Sequence, residues 1–565
     1  MSTTSNNLTY RTLIERIIAD ENLPSSKRDD VASGLRSFIK SVKLTVDTTI
    51  PPLPDLRKLI SGFTPAMTNM TPGRWRNIRS HLQFALAHVG LATVPRRYET
   101  APSPHWSELL ARLDYGSQYK LSHIARYCTT RGIEPEQLND EVMAKLLDDL
   151  STRSMKAEPA RVHRDAAIAW NKAAAQHPDW PQQLLSVADN RPHYSIPWEK
   201  FPVSLQADVE RWLNRLAGRD FLNHMPRKPL RPASLKTRKR QLHEYLSALV
   251  HEGTPIENMV DLATAVTPAL ARAGMMHFWK RAGGKPSVHA GQVAGLVLSI
   301  ARHYAKLDET ALDDLRDLCR MIAVHQNGMT PRNKARLRPL NDTENLTALV
   351  SVPERLKDEV LRQGAPTRSL AIQMQTAVLI ELLLLFPIRL KNLQHLRLDE
   401  NLIFGRRRDD LTIAIPESDV KNELALEAHL PESTGRLFNL YLNSYRPLLD
   451  NPDSPWLFPG QHHDAPKNAE TIRHQIKTAL WIRCGLDFRP HTFRHAAGKI
   501  MLDQNPGCHG QVQRILGHKR LDTTMKFYTG MEGEAALAHY DAQIMRLRGD
   551  AVRRPRSRRG DASWM

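Results

Sequence analysis

The sequence predicts a mainly helical, multi-domain protein with one small antiparallel sheet toward its C-terminal end. Three observations lead there. The chain has 565 residues, more than one hydrophobic core supports, and roughly one domain per 150 residues gives three or four domains. Long stretches place apolar residues at the period of about 3.6 expected of amphipathic helices, punctuated by Gly and Pro turn signals. The clearest strand signals are LTIAI (Leu411–Ile415) and LALEAHL (Leu424–Leu430), which alternate with the period of two of half-buried strands.

Taken in order, residues 1–95 form one helical unit, broken around Pro51, Pro52 and Pro54. Residues 103–190 form a second, 195–330 a third, and 341–545 a fourth that holds both strands. Residues 546–565 carry seven Arg against two Asp and read as a disordered basic tail. The second and third units share a pattern. YKLSHIARYCTTRGIEPEQL (Tyr119–Leu138) and RQLHEYLSALVHEGTPIENM (Arg240–Met259) each run as a helix to a Gly (Gly132, Gly253), then a Pro-containing turn and an acidic helix start. An internal repeat and a coincidence of common punctuation both account for it. The most apolar run, Thr376–Ile388, carries Glu381 and is too short to span a bilayer, so it reads as a buried helix. Met1–Tyr10 is polar and holds no apolar signal core. Membrane residence is therefore not expected.

Lys and Arg number 79 against 60 Asp and Glu, for a net charge of +19 and a pI near 9.8. Such an excess favours a polyanionic partner and leaves DNA, RNA and an anionic membrane surface open. Cys128, Cys319, Cys484 and Cys508 lie far apart with no CxxC pair, which argues against a zinc ribbon or a disulfide framework and for a reducing compartment. Two basic segments stand out. RKPLRPASLKTRKR (227–240) has seven Lys or Arg and no acid. PRNKARLRPL (Pro331–Leu340) has four basic residues and two prolines, and the prolines point to an extended linker. Both suit a phosphate backbone better than plain solvated loops.

The chemistry concentrates downstream. In HTFRH (His491–His495), Pro490 opens a helix that puts His491 and Arg494 on one face. His491 and His495 have the spacing of two metal ligands. The HExxH pattern needs Glu where Thr492 stands, however, and no third ligand is evident, so no metal is expected. In ILGHKRLDTTMKFYTG (Ile515–Gly530), a helix stops at Gly517, His518 follows, and Asp522 is placed to cap a second short helix that carries Tyr528. Upstream, Arg389 follows a strongly apolar helix in LLLLFPIRLKNLQHL, and Lys421 lies in SDVKNELAL, where a hairpin turn would present it. Each residue alone has an ordinary structural reading.

Together, PIRLKNLQHL, the Lys421 hairpin, LFPG (Leu457–Gly460), HTFRH, LGH and TTMKFY resemble the tyrosine recombinases, or phage-type integrases, over roughly residues 370–530. The resemblance implies a tyrosine-recombinase catalytic fold preceded by helical DNA-binding domains. Residues 195–330 would be a core-binding-like domain that closes round DNA. It further implies double-stranded DNA as partner, a homo-oligomer (a tetramer) on that DNA, no cofactor, a cytoplasmic, nucleoid-associated location, and the role of integrase or transposase of a mobile element. Tyr528 would be the nucleophile, giving a 3′-phosphotyrosyl intermediate. Arg389 and Arg494 would clamp the non-bridging oxygens. His491 would accept or position the phenol proton, Lys421 would protonate the leaving 5′ oxygen, and His518 would bond the phosphate. These cations would also favour ionisation of Tyr528. Arg227, Lys228, Arg231, Lys236, Arg238, Lys239 and Arg240 would track the backbone of the duplex.

Three features depart from the family pattern. Asn392 stands where an acid is usual, Phe386-Pro387 replaces a Gly-containing turn, and Tyr528 follows His518 by ten residues instead of the commoner nine. Two other readings are kept: a type IB topoisomerase-like relaxing enzyme, and a catalytically inactive architectural DNA-binding protein. Residues 1–190 lie outside the resemblance, and both DNA-arm readers and protein–protein modules fit them.

Overall fold

The computed structural model describes residues 8–96, 99–187, 194–219, 229–324, 328–449, 451–462, 464–528, 537 and 540–548. The described residues are mainly helical, with one three-stranded antiparallel sheet in the order β1 (Leu402–Phe404), β2 (Leu411–Ile415), β3 (Leu426–His429). β2 is the LTIAI segment, and its alternation is literal: Leu411, Ile413 and Ile415 are buried while Thr412 and Ala414 are half-exposed. β3 lies inside LALEAHL. β1 is too short for a period of two to register in sequence.

Four apolar cores follow one another along the chain, within Tyr10–Leu86, Trp106–Leu185, Phe201–Ile322 and Met329–Tyr528. The chain divides into two compact units. One comprises residues 1–188 with 328–565, and the other residues 189–327.

In the second unit, the long helix Pro232–His251 begins with Arg231 as its N-cap residue and Pro232 in the first turn, where a missing N–H costs nothing. Its inner face buries Leu242, Tyr245, Leu246 and Leu249, and Tyr245 donates to the Ala265 carbonyl at 2.7 Å. Lys236, Arg238, Lys239 and Arg240 therefore ride on the first turns of a helix. Arg227 and Lys228 lie outside the described residues. So does most of the basic tail: residues 546–548 are helical, and 549–565 are not described.

The local pattern shared by the second and third segments is also a structural one. Helix Tyr115–Thr129 leads through Gly132 to a 3₁₀ turn, Pro135–Gln137, and then a helix capped by Asn139. Helix Pro232–His251 leads through Gly253 to a 3₁₀ turn, Ile256–Asn258, and then a short helix capped by Asp261. Both glycines have positive φ.

The expected linker Pro331–Leu340 is not extended. It forms a helix, Pro331–Leu337, followed by a 3₁₀ turn, Arg338–Asn341. The Thr330 hydroxyl caps the Asn333 N–H at 3.2 Å, and each proline sits in the first turn of its element, where proline starts helices rather than breaking them. Leu337 and Leu340 are buried in the C-terminal core, which anchors the segment.

The apolar run belongs to helix Arg368–Leu385, 18 residues long. That is longer than the run itself and, by length and composition alone, long enough to cross a membrane. Here it is the central helix of the C-terminal core, with eleven of its side chains buried. Burial raises the pKa of Glu381, which accepts a hydrogen bond from the Thr434 hydroxyl at 2.7 Å. The helix stops at Leu385, since Pro387 restricts the residue before it, and the chain turns so that Arg389 becomes the N-cap residue of helix Leu390–Gln394.

Candidate active site

The site is built on helix Pro490–Gln504. Pro490 opens it, the Arg489 N–H bonds the Thr492 hydroxyl at 3.3 Å, and the helical period turns Arg494 and His495 inward. Both are buried, whereas His491 in the first turn is exposed. The His491 and His495 rings meet edge to face, 4.8 Å apart. One turn on, Gly498 leaves room for a ring: a Cβ there would lie 2.5 Å from Tyr528. Tyr528 ends helix Leu521–Tyr528 and is almost wholly buried. Asp522 sits inside that helix's first turn rather than capping it, where its charge still favours the helix dipole.

Arg494 ties the motifs together. One terminal nitrogen donates to the Pro387 carbonyl and the other to the Leu516 carbonyl, each at 2.6 Å. Those carbonyls lie two residues before Arg389 and two before His518. The Lys421 turn joins the same frame. The Asn422 amide donates to the Gly517 carbonyl at 2.7 Å, and Asn392 donates to the Asp419 carbonyl at 3.4 Å. Asn392 thus has a scaffold role of its own: it links the Arg389 helix to the Lys421 turn. Gly517 is required twice over. Its φ is +58°, and a Cβ would lie 2.8 Å from Leu426. His518 is held through Nδ1 by the Thr524 hydroxyl at 2.9 Å.

Arg389, His491, Arg494, His518 and Tyr528 are brought together, and no carboxylate appears among the charges that shift them. Burial, then Arg389, lowers Arg494 to about 10. Burial, then Arg494 and Arg389, lowers His518 to about 4. Burial and the surrounding His491, Arg494 and His518 bring His495 to about 4. His491 is lowered too, by burial of its inner edge, Arg494 and Arg389, although its outer edge meets solvent. The half-buried Arg389 is lowered by burial, and its guanidinium has no hydrogen bond or ion pair among the described residues. An enclosed group of guanidiniums with no counter-charge favours an anion, and the N–H groups Arg494 keeps free are donors for its oxygens.

Two details of the site differ from the expected arrangement. Arg494 does favour ionisation of Tyr528, but burial outweighs it and raises the phenol to about 12. The imidazole beside the phenol is that of His495, with Nδ1 3.4 Å from Oη, not that of His491; the hydroxyl itself donates to the Arg494 main-chain carbonyl at 3.2 Å. The spacing of His491 and His495 is visible in the sequence, where Thr492 and the lack of a third ligand set a metal pair aside, but nothing in that spacing points to the phenol. Lys421 occupies its turn, exposed, with no hydrogen bond or ion pair among the described residues. Its link to the cluster runs through Asn422, which sequence reasoning passed over, as it did Thr524 and Gly498. Among the described residues no three His, Cys, Asp or Glu side chains gather as a metal site.

The expected backbone residues divide in the same way. Lys239 pairs with Glu210 and lies 5.9 Å from the Trp198 ring. Arg240 lies 3.9 Å from Glu244. Lys236 is exposed and Arg238 half-buried, neither with a side-chain ion pair among the described residues.

No curated protein sequence matches the chain. Solved structures similar to it include XerA recombinase, at 16% identity and a TM-score of 0.25 over 60% of this chain and 98% of that one. The pre-cleavage complex of XerH site-specific recombinase bound to difH substrate gives 13% and 0.30 over 60% and 98%. A lambda integrase dimer bound to a COC′ core site gives 12% and 0.35 over 68% and 90%. Residues 355–533, close to a third of the chain, match the phage integrase family. That span holds Arg389, Lys421, His491, Arg494, His518 and Tyr528 in the order read from the sequence, and so the chain carries, over residues 355–533, a domain of the phage integrase (tyrosine recombinase) family.

Proposed function

We propose that this protein is a site-specific DNA recombinase that cuts and rejoins double-stranded DNA through a 3′-phosphotyrosyl intermediate at Tyr528. Within that class we assign it the role of integrase or transposase of a mobile element, acting as a tetramer on DNA. The observation that carries the reading is the Arg494 frame: one buried guanidinium bonded to the backbone beside both Arg389 and His518, with the Tyr528 hydroxyl on its own carbonyl.

A phosphodiester held by Arg389 and Arg494 supplies the anion this cluster lacks. Tyr528 Oη attacks phosphorus, the bond to the 5′ oxygen breaks, and that oxygen takes a proton from Lys421. The phenol proton passes to a neutral imidazole, for which His495 is in reach. Charge growing on the non-bridging oxygens meets Arg389, Arg494 and His518. Attack requires Tyr528 to give up its hydrogen bond to the Arg494 carbonyl, a cost of about 1 kcal/mol. The new P–O bond conserves the phosphodiester energy, so the 5′ hydroxyl reverses the step without ATP.

The test is a nicked suicide duplex from which the 5′ fragment diffuses away. A covalent protein–DNA adduct that forms at a preferred sequence and survives EDTA is expected, since the guanidiniums and Lys421 take the roles metal ions fill in other phosphoryl-transfer enzymes. Adducts with little sequence preference would favour the topoisomerase-like reading, and no adduct the architectural one. Loss of adducts in chelator with rescue by Mg²⁺ would indicate a nuclease.

A further inference from the structure

Two hollows flank helix Pro72–His88, a 17-residue helix without a single Asp or Glu. One, about 950 Å³, is lined by Arg57, Lys58, Arg76 and Arg79 with Trp75 and Trp481, and its lining contains no carboxylate. The other, about 520 Å³, is lined by Lys27, Arg96, His123 and Lys156, with one carboxylate, Glu99, which Arg96 already binds. Ser80, Gln83 and Met155 belong to both linings, so the helix and the segment around Met155 form the wall between them. Arg57 fixes that wall from the first hollow, donating to the carbonyls of Leu150, Ser151 and Lys156 at 2.9, 2.5 and 3.0 Å.

Apart from Arg96, these cations have no carboxylate partner among the described residues. Lys58, Arg76 and Arg79 have no side-chain ion-pair or hydrogen-bond partner among the described residues. In the second hollow Lys156 Nζ lies 2.8 Å from His123 Nε2, and the charges that reach this pair, after burial, come from other cations. Lys27 stands 4.8 Å from the Phe84 ring and Arg96 5.7 Å from it. Seven Lys or Arg side chains thus face two adjoining hollows against one carboxylate. A single small anion would answer one hollow. A chain of anions at regular spacing answers both, and the excess of guanidinium over ammonium suits phosphate oxygens.

We infer that helix Pro72–His88 and the hollows on either side of it form a nucleic-acid backbone track, separate from the Tyr528 site, that takes a further stretch of DNA. This rests on the DNA reading above. It would make the first 187 residues a second grip on the substrate.

The experiment compares the full chain with the triple variant Lys58→Ala, Arg76→Ala, Arg79→Ala. All three side chains are solvent-facing, and an unchanged unfolding midpoint checks that the variant folds. Salt titrations on a long random duplex read the slope of log affinity against log salt. The variant is expected to lose up to about 2.7 units of slope, at about 0.9 per phosphate contact. Lys156→Met should flatten it by about one such contact. An unchanged slope in the triple variant overturns the inference, and so does a loss confined to polyglutamate, which would mark an acidic protein partner instead. If the unaltered chain binds no duplex and forms no adduct, the DNA reading falls and takes this with it. If it forms adducts and only the slope comparison fails, this inference alone falls.

Discussion

Two basic regions of the molecule use the same residue types to different ends. Around Arg494, the guanidiniums lie against helix Pro490–Gln504, both lowered by burial and Arg494 also by Arg389, and no carboxylate is among the charges that shift them. Along the first turns of helix Pro232–His251, Lys236 and Arg240 stand in water, and Lys239 already has Glu210. Water decides the difference. A charge in a low-dielectric pocket acts strongly on whatever enters, and a wrong occupant is costly. A solvated charge acts weakly, through displaced counterions, on any polyanion. The first region is suited to chemistry and the second to adhesion, and counting Lys and Arg along the sequence does not separate them.

The comparison breaks most visibly at Tyr528. Tyr528→Phe removes one oxygen from a buried ring and leaves the packing on Gly498 in place. Adduct formation should fall by roughly 10⁴-fold or more, as when other catalytic nucleophiles are removed, while duplex binding stays nearly unchanged. Residual cleavage near the original rate would mean another nucleophile. Arg494→Lys comes next. An ammonium reaches neither both carbonyls nor two phosphate oxygens at once, so cleavage should drop roughly 10²-fold or more. Because the Pro387 and Leu516 carbonyls lose their donor, the unfolding midpoint should fall as well. A rate within about threefold of the original would remove Arg494 from the phosphate clamp.

Much of this site was legible in the sequence because its motifs are local. HTFRH after a proline, LGH at a helix stop and Tyr on the next helix each declare their own backbone geometry. What was not legible lies in contacts between motifs. Asn422 and Asn392 look like ordinary turn and helix residues, and only the carbonyls they reach, Gly517 and Asp419, give them a role. The imidazole beside the phenol was not legible for the same reason: His491 and His495 lie one turn apart on one helix, and only the fold sets His495 against the Tyr528 hydroxyl. At fold level, the alternating strand LTIAI was readable, whereas β1 is too short for a period. Pro331–Leu340 misled because a proline marks a helix start as readily as a break, and the deciding signal was the capping Thr330 before it.

Acid sharpens the contrast through stability. His495 and His518 sit at about 4 in the folded protein, below the value near 6.5 of an unfolded chain. Above about pH 6.5 both states hold these imidazoles neutral, and the pair contributes no pH dependence. As pH falls from there toward 4, the unfolded chain takes up protons that the folded chain refuses, so stability declines. His123, also at about 4 in the N-terminal region, adds in the same direction. Unfolding midpoints across this window should fall with acid, and replacing His495 and His518 together with Gln should flatten part of the slope. A midpoint independent of pH between 7 and about 4 would mean that these imidazoles are hydrated and freely protonated.

The smallest expected effect lies on the solvated side. Neutralising Lys236, Arg238, Lys239 and Arg240 together should weaken binding to specific and random duplexes by similar factors, because the segment from 227 to 240 has no Asn or Gln to read adenine edges. Four free cations would remove close to four units of log–log salt slope, at about 0.9 each. Lys239 is engaged by Glu210, and Arg240 lies within reach of Glu244. Each would have to leave its carboxylate to meet a phosphate, and the net release of counterions is correspondingly less. The flattening should therefore be nearer two units, the share of Lys236 and Arg238. Salt titrations of the quadruple variant on cognate and scrambled duplexes decide the matter. Loss on the cognate duplex alone, with the slope unchanged, would mean that Lys239 or Arg240 reads a guanine edge. A loss of four units would mean that DNA pulls both cations away from their acids, and the solvated region would then be a stronger binder than its resting ion pairs indicate.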